Sequence, residues 1–371
     1  MAPLQDNVTG HSRTTQTHPL LVTMDRRSYI GSCPEDDPKK LYDLFRELSL
    51  ERTIDPDKMQ RHILDSIYRL VHGSNNIEDV SFNFNTTVEL CRAIFEGSIS
   101  DPSDLLVLDV EVYRELGQHL KAAQYLICQT TKSDLSEDII KEAHRILTNE
   151  FNQTEGTYDT EYSGKYRTSP VQATSRPYMD PNKIPAAMDR MMASYRADIL
   201  AAGIKGEIDP VALAAKYSHI FFSIHPFHTA NGQMSRLILN AILFKWAGCL
   251  APFGQDEEEC AEYLSIVVEA MDLEISETES CRGVSDGCRT KLYKKLASYV
   301  LKHAAAGIAD SHIRRYYVPF SAGPPLYPLA LPTPASRHAN TLLTPKPPPP
   351  YLSVSETLNP YHQKWRQLAL A

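Results

Sequence analysis

Residues 225–236, HPFHTANGQMSR, bring a histidine, an asparagine–glycine pair and an arginine into one short stretch. The run that follows, QMSRLILNAILF at 233–244, has the apolar density of a buried helix, so 228–232 must be the turn that starts it. A helix N-terminus carries backbone N–H groups without helical partners and a partial positive charge, which together suit an anion. Gly232 lets the backbone approach a phosphate closely, and Asn231 can donate from its amide or cap the turn. Arg236 sits one turn into the helix, within reach of outer phosphate oxygens for a charge-assisted pair. His225, with an ordinary pKa of about 6.5, suits a general base acting on a hydroxyl. The stretch holds no acidic residue, although phosphate chemistry ordinarily uses a metal that an acid holds. In isolation, His-Pro followed by Asn-Gly is most often just a turn ahead of a helix, so the flanking sequence has to decide.

The elements that must position these residues are mainly helical. Apolar residues recur at spacings of three and four in KKLYDLFRELSL, 39–50, and in KMQRHILDSIYRLV, 58–71, where Ile63, Ile67, Leu70 and Val71 share a face. Comparable patterns cover 86–97, 105–128, 136–149, 184–201, 210–223, 233–247, 257–275 and 288–303. The best strand signal lies in YSGKYRTSPVQATSRPYM, 162–179, where β-favouring pieces flank turn residues and predict a small hairpin. The expected fold class is all-α with one β-hairpin. Residues 1–36 are polar, rich in Thr and Ser and without periodicity, and are expected to be disordered. The tail from 305 to 371 is expected to be largely disordered, and within it roughly 318–350 is crowded with proline and closes on PKPPPPY at 345–351, which favours an extended conformation. Such a tail suits a proline-reading domain, or is solvated without a partner. No internal repeat is evident.

Composition narrows the function classes. The apolar fraction of 42% and charged fraction of 23% are those of an ordinary globular protein. A net charge of −8 argues against nucleic acid as a partner, and the dense basic stretch RTKLYKK, 289–295, reads as a solvated helix face beside Leu292, Leu296 and Val300. Nothing approaches the roughly 18–20 uninterrupted apolar residues of a membrane span. The first residues lack the basic start and long apolar stretch of a signal peptide, so a cytoplasmic location is expected, with the nucleus left open. Seven scattered cysteines, at 33, 91, 128, 249, 260, 281 and 288, are expected as free thiols, with a local pairing of Cys281 and Cys288 left open. The sequons at Asn7, Asn85 and Asn152 would go unused in such a compartment.

With its neighbours, the loop resembles the Fic family, whose motif runs His-Pro-Phe-x-Asp/Glu-Gly-Asn-Gly-Arg-x-x-Arg. His225, Pro226, Phe227, Asn231, Gly232 and Arg236 match it at the family's spacing. The preceding helix ALAAKYSHIFFSI, 212–224, has the small and aromatic pattern that leads into the motif. SGKYRTSPV, 163–171, is similar to the family's flap, which clamps the target, and SNNIED, 74–79, is similar to its inhibitory motif, Ser/Thr-x-x-x-Glu followed by Gly or Asn. The resemblance extends over about 60–275, with these features in the family's order. It divides the chain into a helical region with the inhibitory motif at 37–135 and a Fic core with flap and motif at 136–304.

The resemblance implies transfer of AMP from ATP to a Ser, Thr or Tyr hydroxyl of a protein. His225 would be the base. Asn231 and Gly232 would form the phosphate cradle, flanked by Ala230 and Gln233, and Arg236 would grip the γ-phosphate. Glu78, with Ser74, would pair with Arg236 and inhibit, and in some relatives this glutamate also helps hydrolyse AMP off the target. Gly164, Lys165, Tyr166, Arg167 and Thr168 would form the flap. The family uses Mg²⁺ or Mn²⁺, held by the motif's acidic residue. Here Thr229 takes that position, Ala230 replaces a glycine as it does in the Doc and phosphocholine-transferring branches, and Gln233 replaces the first arginine. A neutral hydroxyl is a poor ligand for a hard cation. Losing the cationic grip costs roughly 1.5–3 kcal/mol, a factor of ten to a hundred. His228, beside the gap, carries an imidazole suited to softer metals and is expected as a polar loop residue. Expectations therefore divide between a weakened, autoinhibited adenylyltransferase, an inactive member binding nucleotide or protein, and transfer of another phosphate-linked group. A homodimer is compatible with each.

Overall fold

The computed structural model describes residues 20–30, 37–50, 56–80, 82–96, 110–148, 150–152, 157–159, 162–173, 176–280 and 292–309. The PKPPPPY tail, most of the segment before residue 37, the sequon at Asn7, and Cys33, Cys281 and Cys288 lie outside these residues. Ten helices follow the apolar periodicity: α1 Pro38–Leu50, α2 Pro56–Ile77, α3 Phe84–Glu96, α4 Val110–Lys132, α5 Glu137–Leu147, α6 Ile184–Lys205, α7 Pro210–Ile224, α8 Asn231–Ala247, α9 Glu257–Ser280 and α10 Lys294–Ala309. Among the described residues no helix is long and apolar enough to cross a membrane, and Cys91, Cys128, Cys249 and Cys260 are free thiols.

Helix α8 is the centre. Its positions from Met234 to Phe244 are buried without a break, so it presents no solvent face, and α2, α4, α5 and α7 pack around it. A helix covered on all sides needs polar residues only where they have partners. Asn240 is one such residue: its amide donates to the Arg236 carbonyl at 3.1 Å and accepts from the Ala251 N–H at 2.8 Å, fixing the turn after the helix. Hydrophobic packing runs without interruption from Phe45, Ile67 and Ile77 through Leu126 to Phe227, Leu237 and Val300. One core therefore spans the 135/136 boundary expected from the sequence.

The expected hairpin is present as β4 Gln172–Ala173 and β5 Arg176–Pro177, paired antiparallel with Gln172 opposite Pro177. Two further pairings escaped the sequence reading because their strands are two or three residues long, too short for a period-2 pattern. Strands β2 Glu150–Asn152 and β3 Thr157–Asp159 form a second antiparallel hairpin, and β1 Leu21–Val22 runs parallel to β6 Glu207–Ile208.

That last pairing corrects the expectation of disorder throughout 1–36. Asp209 caps α7 by accepting from the Ala212 N–H at 3.0 Å, and also accepts from the Asp25 N–H and the Tyr29 hydroxyl at 2.8 and 2.7 Å. Tyr29 is buried, so residues 20–30 belong to the fold. At the other end α10 continues past the expected boundary at 304, with Ala305 buried.

Candidate active site

The sequence motif occupies the corner between α7 and α8. Helix α7 ends on His225 in the left-handed region, at φ 50°, and α8 starts after Ala230, also left-handed at φ 59°. Left-handed backbone costs an alanine on the order of 1 kcal/mol, which a glycine would not incur. Asn231 closes the corner: its amide oxygen accepts from the Phe227 N–H at 3.0 Å and its nitrogen donates to the Phe227 carbonyl at 2.9 Å. Both ends of that side chain are thus committed to loop shape, and an anion would meet the first-turn N–H groups of Asn231, Gly232 and Gln233.

His144 on α5 is a second clamp that sequence reasoning missed. Its Nδ1 accepts from the Gly164 N–H at 2.9 Å, which leaves the proton on Nε2 to donate to the Thr229 carbonyl at 3.2 Å. Its ring stacks on Phe227, centroids 3.7 Å apart and planes 12° apart. The signal available was a lone histidine in the apolar pattern of 136–149, which does not separate a core histidine from a clamp.

Arg167, expected on the flap, is buried and turned inward. Its Nε donates to the His225 carbonyl at 2.8 Å, and its backbone N–H to the Pro226 carbonyl at 2.9 Å. Tyr166 packs its ring against Phe227, centroids 5.5 Å apart. Gly164 has φ +70°, and a Cβ there would sit 2.9 Å from the Lys141 carbonyl. Only Lys165 and Thr168 of the five expected flap residues are exposed. Thr229 is exposed at the rim, where Tyr162 and His228 approach ring to ring, centroids 4.9 Å apart.

On the other side of α8, the end of α2 meets Arg236. The guanidinium donates from Nε to the Ser74 hydroxyl at 2.8 Å, and from Nη2 to the Ser74 carbonyl at 3.1 Å and to Glu78 at 2.5 Å. The Arg236 side chain is 1% exposed and that of Glu78 16%, so this ion pair is screened little. The Tyr263 ring lies 5.7 Å from the guanidinium carbon. Asp79, which follows, has φ 60°. That backbone suits glycine best and asparagine or aspartate next, so an aspartate is tolerated there at modest cost. Gln233 also turns toward α2: its amide nitrogen lies 3.4 Å from the Asn75 amide oxygen, which accepts from His119 Nδ1 at 2.5 Å.

Burial pushes His144 down to about 4, and burial together with Arg236 pushes His119 down to about 3. Burial and Lys302 push His303 down to about 4. Each lies below the ordinary 6.5 of an unfolded histidine. The unfolded chain therefore binds these protons first, and stability falls as pH drops from about 6.5 toward 4, by about 1.4 kcal/mol per unit for each group. The urea midpoint should fall between pH 7.5 and pH 5, and fall less steeply in His119→Gln. A midpoint unchanged between the two would contradict this.

Residues 134–243 match the model of the Fic/DOC family. A Fido domain-containing protein of Dictyostelium discoideum is 32% identical over 104 residues, covering 28% of this chain and 70% of that protein. The chain belongs to the Fic/DOC family. The protein adenylyltransferase Fic of Nematostella vectensis is 27% identical over 209 residues, 56% of this chain, which spans 44% of that relative's length. For this Fic chain, solved structures agree in fold. A Fic domain containing signaling protein from Bacteroides thetaiotaomicron has a TM-score of 0.54 at 19% identity, covering 73% of this chain and 95% of its own. Residues 134–508 of Fic-1 from C. elegans have a TM-score of 0.52 at 20% identity, covering 73% and 69%. The matched Fic region holds His144, residues 164–168 expected as the flap, and the motif, while Glu78 and α2 lie upstream of it.

Proposed function

We propose that this Fic chain is a nucleotidyltransferase that moves AMP from ATP to a Ser, Thr or Tyr hydroxyl of a protein, and that α2 holds it off. The observation that carries this reading is the buried pair of Arg236 with Glu78. A guanidinium one turn into an anion-suited helix end is occupied by a carboxylate of its own chain, the group that most resembles a phosphate oxygen in charge and hydrogen bonding. The name of the Nematostella relative supports the same activity.

In this reading the target hydroxyl gives its proton to His225 and its oxygen attacks the α-phosphorus. The bond to the bridging oxygen breaks, and pyrophosphate leaves with the electron pair. The N–H groups at the start of α8 receive phosphate oxygens, and Arg236, once released by Glu78, neutralises the γ-phosphate. Asn231, His144 and Arg167 keep the loop in shape before substrate arrives, so little reorganisation is required at reaction.

The residues present do not suit the family's divalent cation. Position 229 offers a neutral hydroxyl, its carbonyl is held by His144, and among the described residues no group of three or more His, Cys, Asp or Glu could hold a metal. The same residue, with Gln233 directed at Asn75, favours a second reading in which nucleotide or protein is bound without transfer, or a different phosphate-linked group is moved.

Intact-mass measurement of Glu78→Gly incubated with ATP and either Mg²⁺ or Mn²⁺ separates these readings. The expected result is an adenylyl adduct, with no adduct but retained ATP binding when His225→Ala is added. Binding without any adduct selects the second reading, and transfer that survives His225→Ala removes His225 as the base.

A further inference from the structure

His225 is 1% exposed, although a base for protein targets must meet a hydroxyl from outside. Two rings enclose it. Tyr178 lies flat on the imidazole, centroids 3.7 Å apart and planes 9° apart, and Phe222 meets it edge-on at 5.7 Å and 80°. Phe222 is buried in α7, where the core holds it. Tyr178 belongs to the hairpin instead: its N–H donates to the Val171 carbonyl at 3.1 Å and closes the base of the β4–β5 pair. The two strands are two residues long each. Beneath them Arg167 is a firm footing. It donates to the Ser169 carbonyl on one leg at 3.2 Å, to the Met179 carbonyl on the other at 2.5 Å, and to the His225 carbonyl between.

We propose that Tyr178 is a positioning residue that covers His225, and that moving its ring off the imidazole opens the base to a target hydroxyl. The role of His225 as base rests on the proposed function, whereas the cover is a property of the fold. A stacked ring fixes the plane of the imidazole while leaving the in-plane directions of both nitrogens to other groups. It is also a second closure, distinct from α2. Glu78 and Ser74 hold Arg236 while Tyr178 covers His225, so Glu78→Gly leaves the resting cover in place and transfer in that variant proceeds through transient displacement of the Tyr178 ring.

Acylation of the full chain by diethylpyrocarbonate, followed by peptide mapping of each histidine, tests this without any need for transfer. In the unmodified sequence His225 is protected, while the half-buried His228 on the same loop reacts. Tyr178→Ala should acylate His225 about tenfold faster or more, with His119 and His144 still protected, because only the local cover is lost. Tyr178→Phe, which keeps the ring, and Glu78→Gly should both stay at the starting rate. The proposal is overturned by a His225 rate in Tyr178→Ala within about twofold of the start. Equal acceleration in Tyr178→Phe or Glu78→Gly overturns it too, as does release of His119 and His144 together with His225, which would mean a loosened core. A chain that fails to transfer AMP but shows the expected acylation pattern refutes the activity and leaves the cover standing.

Discussion

Adding Thr229→Asp to Glu78→Gly should raise Mg²⁺-dependent adenylyl transfer about a hundredfold over Glu78→Gly alone, since a bound cation that stabilises transferring phosphate is worth several kcal/mol and 1.4 kcal/mol is a factor of ten. The structure makes the substitution tolerable. Thr229 points its side chain to the exposed rim, and its backbone is held independently, through the His144 Nε2 bond to its carbonyl. An aspartate can therefore enter without disturbing the loop that Asn231 closes at Phe227. Adding Gln233→Arg should contribute a further factor of about ten to a hundred by restoring a charged grip on phosphate. It also removes the contact with Asn75, so the gain combines a new grip with a weaker hold by α2. The measurement is adenylyl incorporation with Mg²⁺ against the same reaction in chelator. A double variant silent under both conditions would show that the loop lacks more than one carboxylate, and the reading without transfer would then be preferred.

Gly73→Ala should release the end of α2 without touching either partner of the ion pair. A Cβ at position 73 would lie 2.1 Å from the Phe253 carbonyl oxygen and 2.6 Å from Gln255 Nε2. The nearest atom is backbone, so no side-chain rotation relieves the clash. Across the contact, Gly254 at φ +84° leaves only 2.6 Å between its own added Cβ and the Gly73 carbonyl. Asn76 anchors the same contact by donating to the Gly254 carbonyl at 2.9 Å. Overpacking of this kind costs about 1–3 kcal/mol, enough to shift a docked segment toward its undocked form by about ten- to a hundredfold. Amide exchange across 70–78 should quicken, and ATP should bind more tightly, as in Glu78→Gly. Unchanged exchange in a folded Gly73→Ala protein would show that the helix end docks by other means.

The helices were legible because their signal is local. Every apolar pattern assigned to a helix in the sequence corresponds to one of the ten, with ends moved by a few residues, since frayed turns and caps carry weaker signals than buried faces. Helix α2 continues through Ser74, Asn75 and Asn76, polar residues that the apolar pattern ending at Val71 leaves out. They remain helical because Ser74 and Asn76 have partners on α8 and at Gly254. Strands two residues long carry no period at all, and residues 20–30 are held by Asp209, a residue far along the chain.

By itself the sequence determined the helical class, the corner at 225–236 and, through the family pattern, the partnership of Glu78 with Arg236. Residue types at fixed short spacings encode the first two, whereas the third, a pair 158 residues apart, is what the family resemblance implies. The tertiary structure alone decided that Arg167 ties the hairpin to His225 from 58 residues away, that His144 holds Thr229 from 85 away, and that Gly73 meets Gly254. It also decided that Tyr178 lies over the histidine. These are contacts between distant positions in a close-packed interior, where the partner of a side chain depends on how whole helices seat against one another. Residue type limits what each side chain can do, and packing selects what it does.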